Sequence, residues 1–401
     1  MKLLLINVKS AVTATDSLNP SLRILDHPFI GIDGDRICYI SDKKPEGKWE
    51  EFDAQEKLIT PGLVDPHTHP IFAGNRSDEY SMRLEGISYM DIAKSGGGIN
   101  KTVRLTRQAS DEELYKSTRQ RLLRMMSHGT TTIEAKSGYG LTTEDELRLI
   151  KILHDLDEEL PIEIFITFLG AHEIPPEYKD KREDYINMVI EEMIPEVARQ
   201  GYAKFCDVFC ENGVFSKSES ERILETGKKY GLIPKIHANE LGNSHGVEAA
   251  AKTGAISADH LNYINDNEIR ILKEYKICPV LLPATSFTLG LGIYPPARKL
   301  KENGITFALA SDCNPGSCYL ENFSLVQAIA CNTMRISPED AFIASTLIAA
   351  KALGAENIGV LDAGMQADLI IWNAEDYRDI SYHYGINSVD KVMKKGKWVS
   401  F

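Results

Sequence analysis

Apolar runs punctuate the middle of the chain at near-regular intervals, and most are followed by a segment of helical period. The runs fall at 130–135, 162–169, 203–210, 233–237, 256–259, 278–283 and 305–310. An earlier one begins near Lys57, ends at His67 and makes eight. Near-continuous hydrophobicity over so few residues marks strands buried on both faces, as in a parallel sheet. Helix starts are legible between them. The capping box Ser110-Asp111-Glu112-Glu113 opens one helix that ends near Gly129. Thr143 with Glu146 opens another, and Ser218 with Glu221 opens a third that closes at Gly231. Ser337-Pro338-Glu339-Asp340 starts a last helix, with proline at its first position, that ends near Gly354. Eight such units in about 290 residues predict an α/β chain folded as a (β/α)8 TIM-type barrel. A doubly wound open sheet ranks second, because no GxGxxG turn follows the first strand.

Both chain ends have a different texture. Short strands are predicted over 3–10, 22–33, 36–42 and 57–64, with Asp33-Gly34 as a tight turn. The tail repeats this character over 367–372 and from 391 to 399, turning at Lys395-Gly396. One small β-sandwich domain formed from both ends, residues 1–58 and 356–401, is therefore expected beside a barrel of residues 59–355.

Composition narrows the function without fixing it. Charged residues are 26% and hydrophobic ones 43% of the 401, which is ordinary for a soluble globular protein. No apolar run reaches membrane-spanning length. The opening residues are too short and strand-like for a secretory signal, so a cytoplasmic protein is expected. A net charge of −13 argues against nucleic acid and anionic membranes as partners. An anionic small-molecule substrate would need a local cluster of arginine or histidine. The seven cysteines are scattered, odd in number and without a CxxC pair, so they read as reduced residues.

The chemistry lies at the strand ends. In Pro61-Gly62-Leu63-Val64-Asp65-Pro66-His67-Thr68-His69-Pro70, two histidines are spaced i, i+2, which puts both imidazoles on one face of a strand. His172 follows strand three, Glu211 strand four, His237 and Glu240 strand five, His260 strand six, Thr285 strand seven and Asp312 strand eight. In a barrel all of these converge on the carboxyl-end mouth, where catalysis occurs. His67, His69, His237 and Asp312 would make a nitrogen-rich site suited to Zn²⁺ or Fe²⁺. A metal with an open position lowers the pKa of bound water towards ~7. Glu240 is the best general base for that water. His260 could polarise the carbonyl or steady the hydroxide, and Asp312 could bind metal, take the proton or do both. Read singly, each has a bland alternative: a solvated loop glutamate, a satisfied core histidine.

These residues carry a resemblance. The His67-Thr68-His69 stretch and the tail Gly359 to Ile370 resemble the amidohydrolase superfamily. His67 to Arg76, Gly96-Gly97-Gly98-Ile99, Glu134 to Leu141, Phe168 to His172, His237 to Glu240 and Ser311 to Ser317 are together similar to the imidazolonepropionase family within it. The resemblance implies hydrolytic ring opening of 4-imidazolone-5-propanoate to N-formimidoyl-L-glutamate in histidine degradation. It implies one divalent ion, Zn²⁺ or Fe²⁺, on His67, His69, His237 and Asp312. Glu240 would bind the ring and manage protons, and His260 would stand near the reactive water. Arg76, Tyr139, His172, Asn314, Gly316 and Ser317 would contact the substrate, with serine at 317 where relatives often have threonine. It also implies a homodimer. Lys204 lies near the start of strand four, away from the mouth, which favours one metal over the two bridged by a carboxylated lysine. A deaminase or another ring hydrolase of the superfamily is the alternative, and a purine has no propionate to pair with Arg76. A silent metal-stabilised scaffold would be expected to lack Glu240 or His260, and both are present.

Overall fold

The computed structural model describes residues 2–15, 19–87, 91–92 and 95–401. Eight parallel strands form the barrel expected from the apolar runs. They are Leu63–Thr68, Thr130–Lys136, Glu163–Ala171, Phe205–Cys210, Ile233–Ala238, Ser257–His260, Cys278–Leu281 and Ala308–Leu309, each paired with the next in sequence. The last is only two residues long. Closure onto the first strand is made beyond it, where Asp312 N donates to His67 O (3.1 Å) and His69 N to Cys313 O (2.9 Å).

Helix starts follow capping chemistry, displaced by a residue or two from the sequence reading. Ser110 and Glu113 make the expected box at the head of Asp111–Ser127. The next helix is capped by Thr142 rather than Thr143, and the one after by Ser216 with Glu219 rather than Ser218 with Glu221. A Ser/Thr-x-x-acid pattern fits more than one register in both stretches, and only packing of the apolar face chooses. Ser337 and Asp340 make a box as expected, but that helix breaks into Pro338–Ala344 and Leu347–Ala352. At the break, Val64 N of the first barrel strand takes Ser345 O as its acceptor (2.9 Å). The predicted strand 22–33 likewise divides, into Leu22–Asp26 and Phe29–Asp33, around left-handed His27 and Pro28.

Both chain ends build a second, mixed sheet of eight strands. Its centre pairs Lys2–Ala14 in parallel with Glu50–Pro61, and Leu369–Trp372 runs antiparallel to the latter. Strand alternation sorts its residues. Ile59, Leu369 and Ile371 face the sheet's own core, while Leu58, Ile370 and Trp372 join the core of the barrel. Trp372 is fully buried, with Nε1 donating to Thr60 Oγ1 (2.8 Å). Gly62 is the step from sheet to barrel. A Cβ there would lie 2.1 Å from Thr131 Oγ1, so only glycine lets the chain pass the second barrel strand. Among the described residues no helix is long and apolar enough to cross a membrane, and all seven cysteines are free thiols.

Candidate active site

His67 and His69 stand at the end of the first barrel strand, 0% and 2% exposed. Their Nε2 atoms are 3.3 Å apart, and His237 Nε2 is 3.3 Å from that of His69. Asp312 Oδ1 lies 3.6 Å from His67 Nε2 and 3.5 Å from His69 Nε2. Ligands at 2.0–2.1 Å on the corners of a tetrahedron are separated by about 3.4 Å, so the edges match a single transition-metal ion. The protonation pattern agrees. His67 Nδ1 donates to Asp259 Oδ2 (2.6 Å), and His237 Nδ1 is 2.9 Å from Asp207 Oδ2. Asp259 holds the His67 proton on Nδ1, Asp207 lies beside Nδ1 of His237, and the Nε2 atoms are left to converge on one point, where a cation relieves the repulsion of their lone pairs. Burial keeps the His67, His69 and His260 rings neutral, well below the usual imidazole range.

A fully buried ionic layer underlies these rings. Lys136 Nζ donates to Glu134 (2.6 Å) and Asp207 (2.7 Å). Lys235 Nζ donates to Glu134 (2.5 Å) and to Pro66 O (2.9 Å), and both ammoniums lie 3.8 Å from Asp259. Three carboxylates against two lysines leave one negative charge in excess, on the side that faces the imidazoles. Sequence reading missed Asp207, Asp259 and Lys235. The signal was there: single charges inside apolar strands, with Lys235 two residues before His237 and so on the same face.

Above the cluster opens a cavity of about 40 Å³, lined among others by His69, Arg76, Tyr139, His172, Glu240, His260, Asp312, Asn314 and Ser317. The structure thus brings nearly all the anticipated site residues together. Glu240 Oε2 is 3.6 Å from His260 Nε2, and burial, then Asp312 and Glu211, lift its carboxyl well above the usual range. Thr285 donates to Asp312 Oδ2 (2.7 Å), and burial raises the Asp312 carboxyl to about 6. His172 donates Nδ1–H to Gly138 O (2.9 Å), and burial lowers it to about 3. Arg76 is buried, its Nε held by Glu79 at 2.8 Å, and Glu79 also accepts from Gly98 N (3.1 Å). Gly98 thereby caps the helix Ile99–Gln108, so the triple glycine ends in a helix start. Gly316 is not a lining residue. A Cβ on it would fall 2.0 Å from Arg76 Nη1, so it makes room for the guanidinium. The Asn314 amide is committed to its own loop, accepting from Gly316 N and Ser317 N (both 2.8 Å) and donating to Asp312 O (2.7 Å) and Ser317 Oγ (2.8 Å). Lys204 donates to Leu353 O at the far end of the barrel (2.8 Å), as its position near the strand start suggested.

A closed barrel with a His/Asp cluster at its carboxyl mouth defines a metal-dependent hydrolase, and the chain belongs to the amidohydrolase family, whose model matches residues 58–399. Within that family it groups with the imidazolonepropionases. It is 49% identical over 354 residues to the imidazolonepropionase of Geobacillus thermodenitrificans, spanning 88% of this chain and 83% of that protein. Against the imidazolonepropionase of Shouchella clausii it is 47% identical over 372 residues, 92% and 83% of the two chains. The fold also matches the crystal structure of a guanine deaminase from C. acetobutylicum with bound guanine, over the whole of both chains, with a TM-score of 0.73 at 18% identity.

Proposed function

We propose that this chain opens the ring of 4-imidazolone-5-propanoate by hydrolysis, giving N-formimidoyl-L-glutamate. The observation that carries the substrate is a buried arginine, Arg76, on the wall of the same cavity that holds the His/Asp cluster. Its planar head is what a propionate would meet, with Glu79 seating it from the Nε side. Guanine offers no such group, and the likeness to a guanine deaminase extends to the fold alone.

His67, His69, His237 and Asp312 would hold one ion, zinc or iron, which a nitrogen-rich donor set with one carboxylate suits. When bound, that cation polarises the ring carbonyl and lets water ionise near neutral pH. Tyr139 and His172 would flank the ring, and Ser317, on the same lining, would complete the contacts to it. Asp312 and Glu240 share removal of the water's proton. Glu240, whose buried carboxyl readily keeps a proton, returns it to the ring nitrogen as the carbon–nitrogen bond breaks. His260, neutral and beside Glu240, stabilises the oxyanion. Residues 1–58 with 356–401, and 59–355, form the two domains in this reading. The assembly is a homodimer, supported by the resemblance, and the compartment is the cytoplasm, supported by seven unpaired cysteines.

The test is hydrolysis of freshly generated 4-imidazolone-5-propanoate, followed by loss of ring absorbance. Activity should vanish with a chelator and return with Zn²⁺ or Fe²⁺. Turnover of guanine with none of the imidazolone would replace this substrate with the alternative.

A further inference from the structure

The loop 137–142 after the second barrel strand presents Tyr139 to the cavity, and a carboxylate holds that loop from behind. Glu146 lies in the first turns of the helix Thr143–Glu159 and is completely buried. Its Oε1 accepts from the backbone N–H of Gly140 and Leu141, both at 2.8 Å, and its Oε2 from that of Gly138 at 3.0 Å. Burial pushes this carboxyl above its usual range, and the hydrogen bonds around it pull the other way. An ionised carboxylate offers about four acceptor sites, and three of these take backbone amides of one loop. Those donors span the residues on both sides of Tyr139, so they define where its ring stands. The loop then passes the constraint to the third strand. Gly138 O accepts from His172 Nδ1, and Ser137 Oγ accepts from Leu169 N (3.0 Å). With its proton on Nδ1, His172 turns an Nε2 lone pair away from the loop.

We infer that Glu146 is the positioning residue of the substrate pocket: it touches no ligand, yet fixes the Tyr139 ring and the His172 tautomer. The inference rests on the reading of Tyr139 and His172 as ring contacts. Its signature is selective. Glu146 bonds none of the four candidate metal ligands, and the His172 ring only stacks on His69 (ring centroids 5.1 Å), so disturbing Glu146 acts on substrate affinity and spares metal content. Glutamine at 146 keeps the size but supplies one acceptor oxygen and an NH₂ group. That NH₂ must face at least one backbone N–H, and the loop has to move. A displacement near 1 Å in a positioning group costs up to about 100-fold in kcat/KM, and here the loss falls on binding.

The experiment compares wild type with Glu146→Gln as holoenzymes. The expected result is KM raised about tenfold or more, kcat within about threefold, and unchanged metal content. Combined with Tyr139→Phe, the KM penalties should fall short of their product, because both act through one ring. In ¹⁵N spectra of the imidazoles, the Nδ1–H signal of His172 should give way to a mixture. If the variant does not fold, Glu146→Asp takes its place, keeping the charge on a side chain too short to reach all three amides, with KM raised about threefold at constant kcat. KM unchanged in whichever variant folds, KM penalties that multiply, or an equal loss of kcat, KM quality and metal would overturn the inference. Should wild type fail to hydrolyse the imidazolone, the substrate reading fails by itself. The His172 signal then still decides: a retained pure tautomer in Glu146→Gln refutes the positioning role, and its loss supports it.

Discussion

Asparagine at 259 should weaken the metal without touching it. In the native chain Asp259 Oδ2 accepts His67 Nδ1–H at 2.6 Å, and Oδ1 accepts the Ser257 hydroxyl, also at 2.6 Å. Asp259→Asn is nearly isosteric and can still turn its carbonyl to His67. What it removes is the charge behind the imidazole. A hydrogen bond to a charged group is worth roughly 1.5–3 kcal/mol, against about 1 for a neutral one. The ring becomes a poorer donor to the cation by about that difference. It also becomes free to take the other tautomer, with Nε2 protonated and unable to ligate. The loss of charge leaves Lys136 and Lys235 facing only Glu134 and Asp207, which makes the floor of the site less negative. All three effects have the same sign. Outer partners of metal-bound histidines typically contribute 10–100-fold in affinity, and the hydrogen-bond difference, about 0.5–2 kcal/mol or roughly 2–30-fold at about 1.4 kcal/mol per decade, reaches the lower part of that window. Competition against a chromophoric chelator reads the dissociation constant directly, and Ser257→Ala is the control that disturbs Asp259 without neutralising it. Affinity within about twofold of wild type in Asp259→Asn would refute the account of the layer beneath the site.

Gly316→Ala should displace the Arg76 guanidinium, because the new methyl would sit 2.0 Å from Nη1; we expect kcat/KM for the imidazolone to fall about 10–100-fold in steady-state assays, mostly through KM. Glu240→Gln should lower kcat by about 10²–10⁴ while metal analysis finds full occupancy. Against the upward push of burial, hydrogen bonds from Arg182 and Ser216 pull the Glu219 carboxyl down to about 2. A depressed folded value gives stability that is present above the usual value near 4.5 and is lost as pH falls towards 2. After allowance for partial exposure this is about 1–2 kcal/mol, so Glu219→Gln should lower Tm at pH 7, and the gap to wild type should close on acidification in calorimetry.

The barrel and its mouth were legible because burial on both faces writes itself into sequence. Most strands are short, largely apolar runs, and a histidine just beyond such a run has few other places to point. The His67–His69 pair needed only the two-residue repeat of a strand. Helix starts were less sharp, since Ser216 and Ser218 both have an acid three residues on and the backbone can use only one. The interior charges were illegible for a different reason. Asp207, Asp259 and Lys235 come from different strands, and a carboxylate inside a strand reads as a cost until its partner is known. Glu146 was read as a helix-start acid. Its real partners are amides of the preceding loop, a relation with no fixed spacing. Gly316 makes room for a side chain some 240 residues away in sequence, a distance no local pattern crosses.

The short eighth strand has a further consequence. The barrel's last seam is fastened by Asp312 N to His67 O and His69 N to Cys313 O, so the clasp that shuts the cylinder is made by residues that would share the ion. Occupancy and closure then become one equilibrium. The amide protons of His69 and Asp312 act as its clock, trading slowly with solvent in molecules whose clasp is shut and quickly in those that have lost the ion. Counting those two protons would report what fraction of a sample is competent, without adding substrate at all.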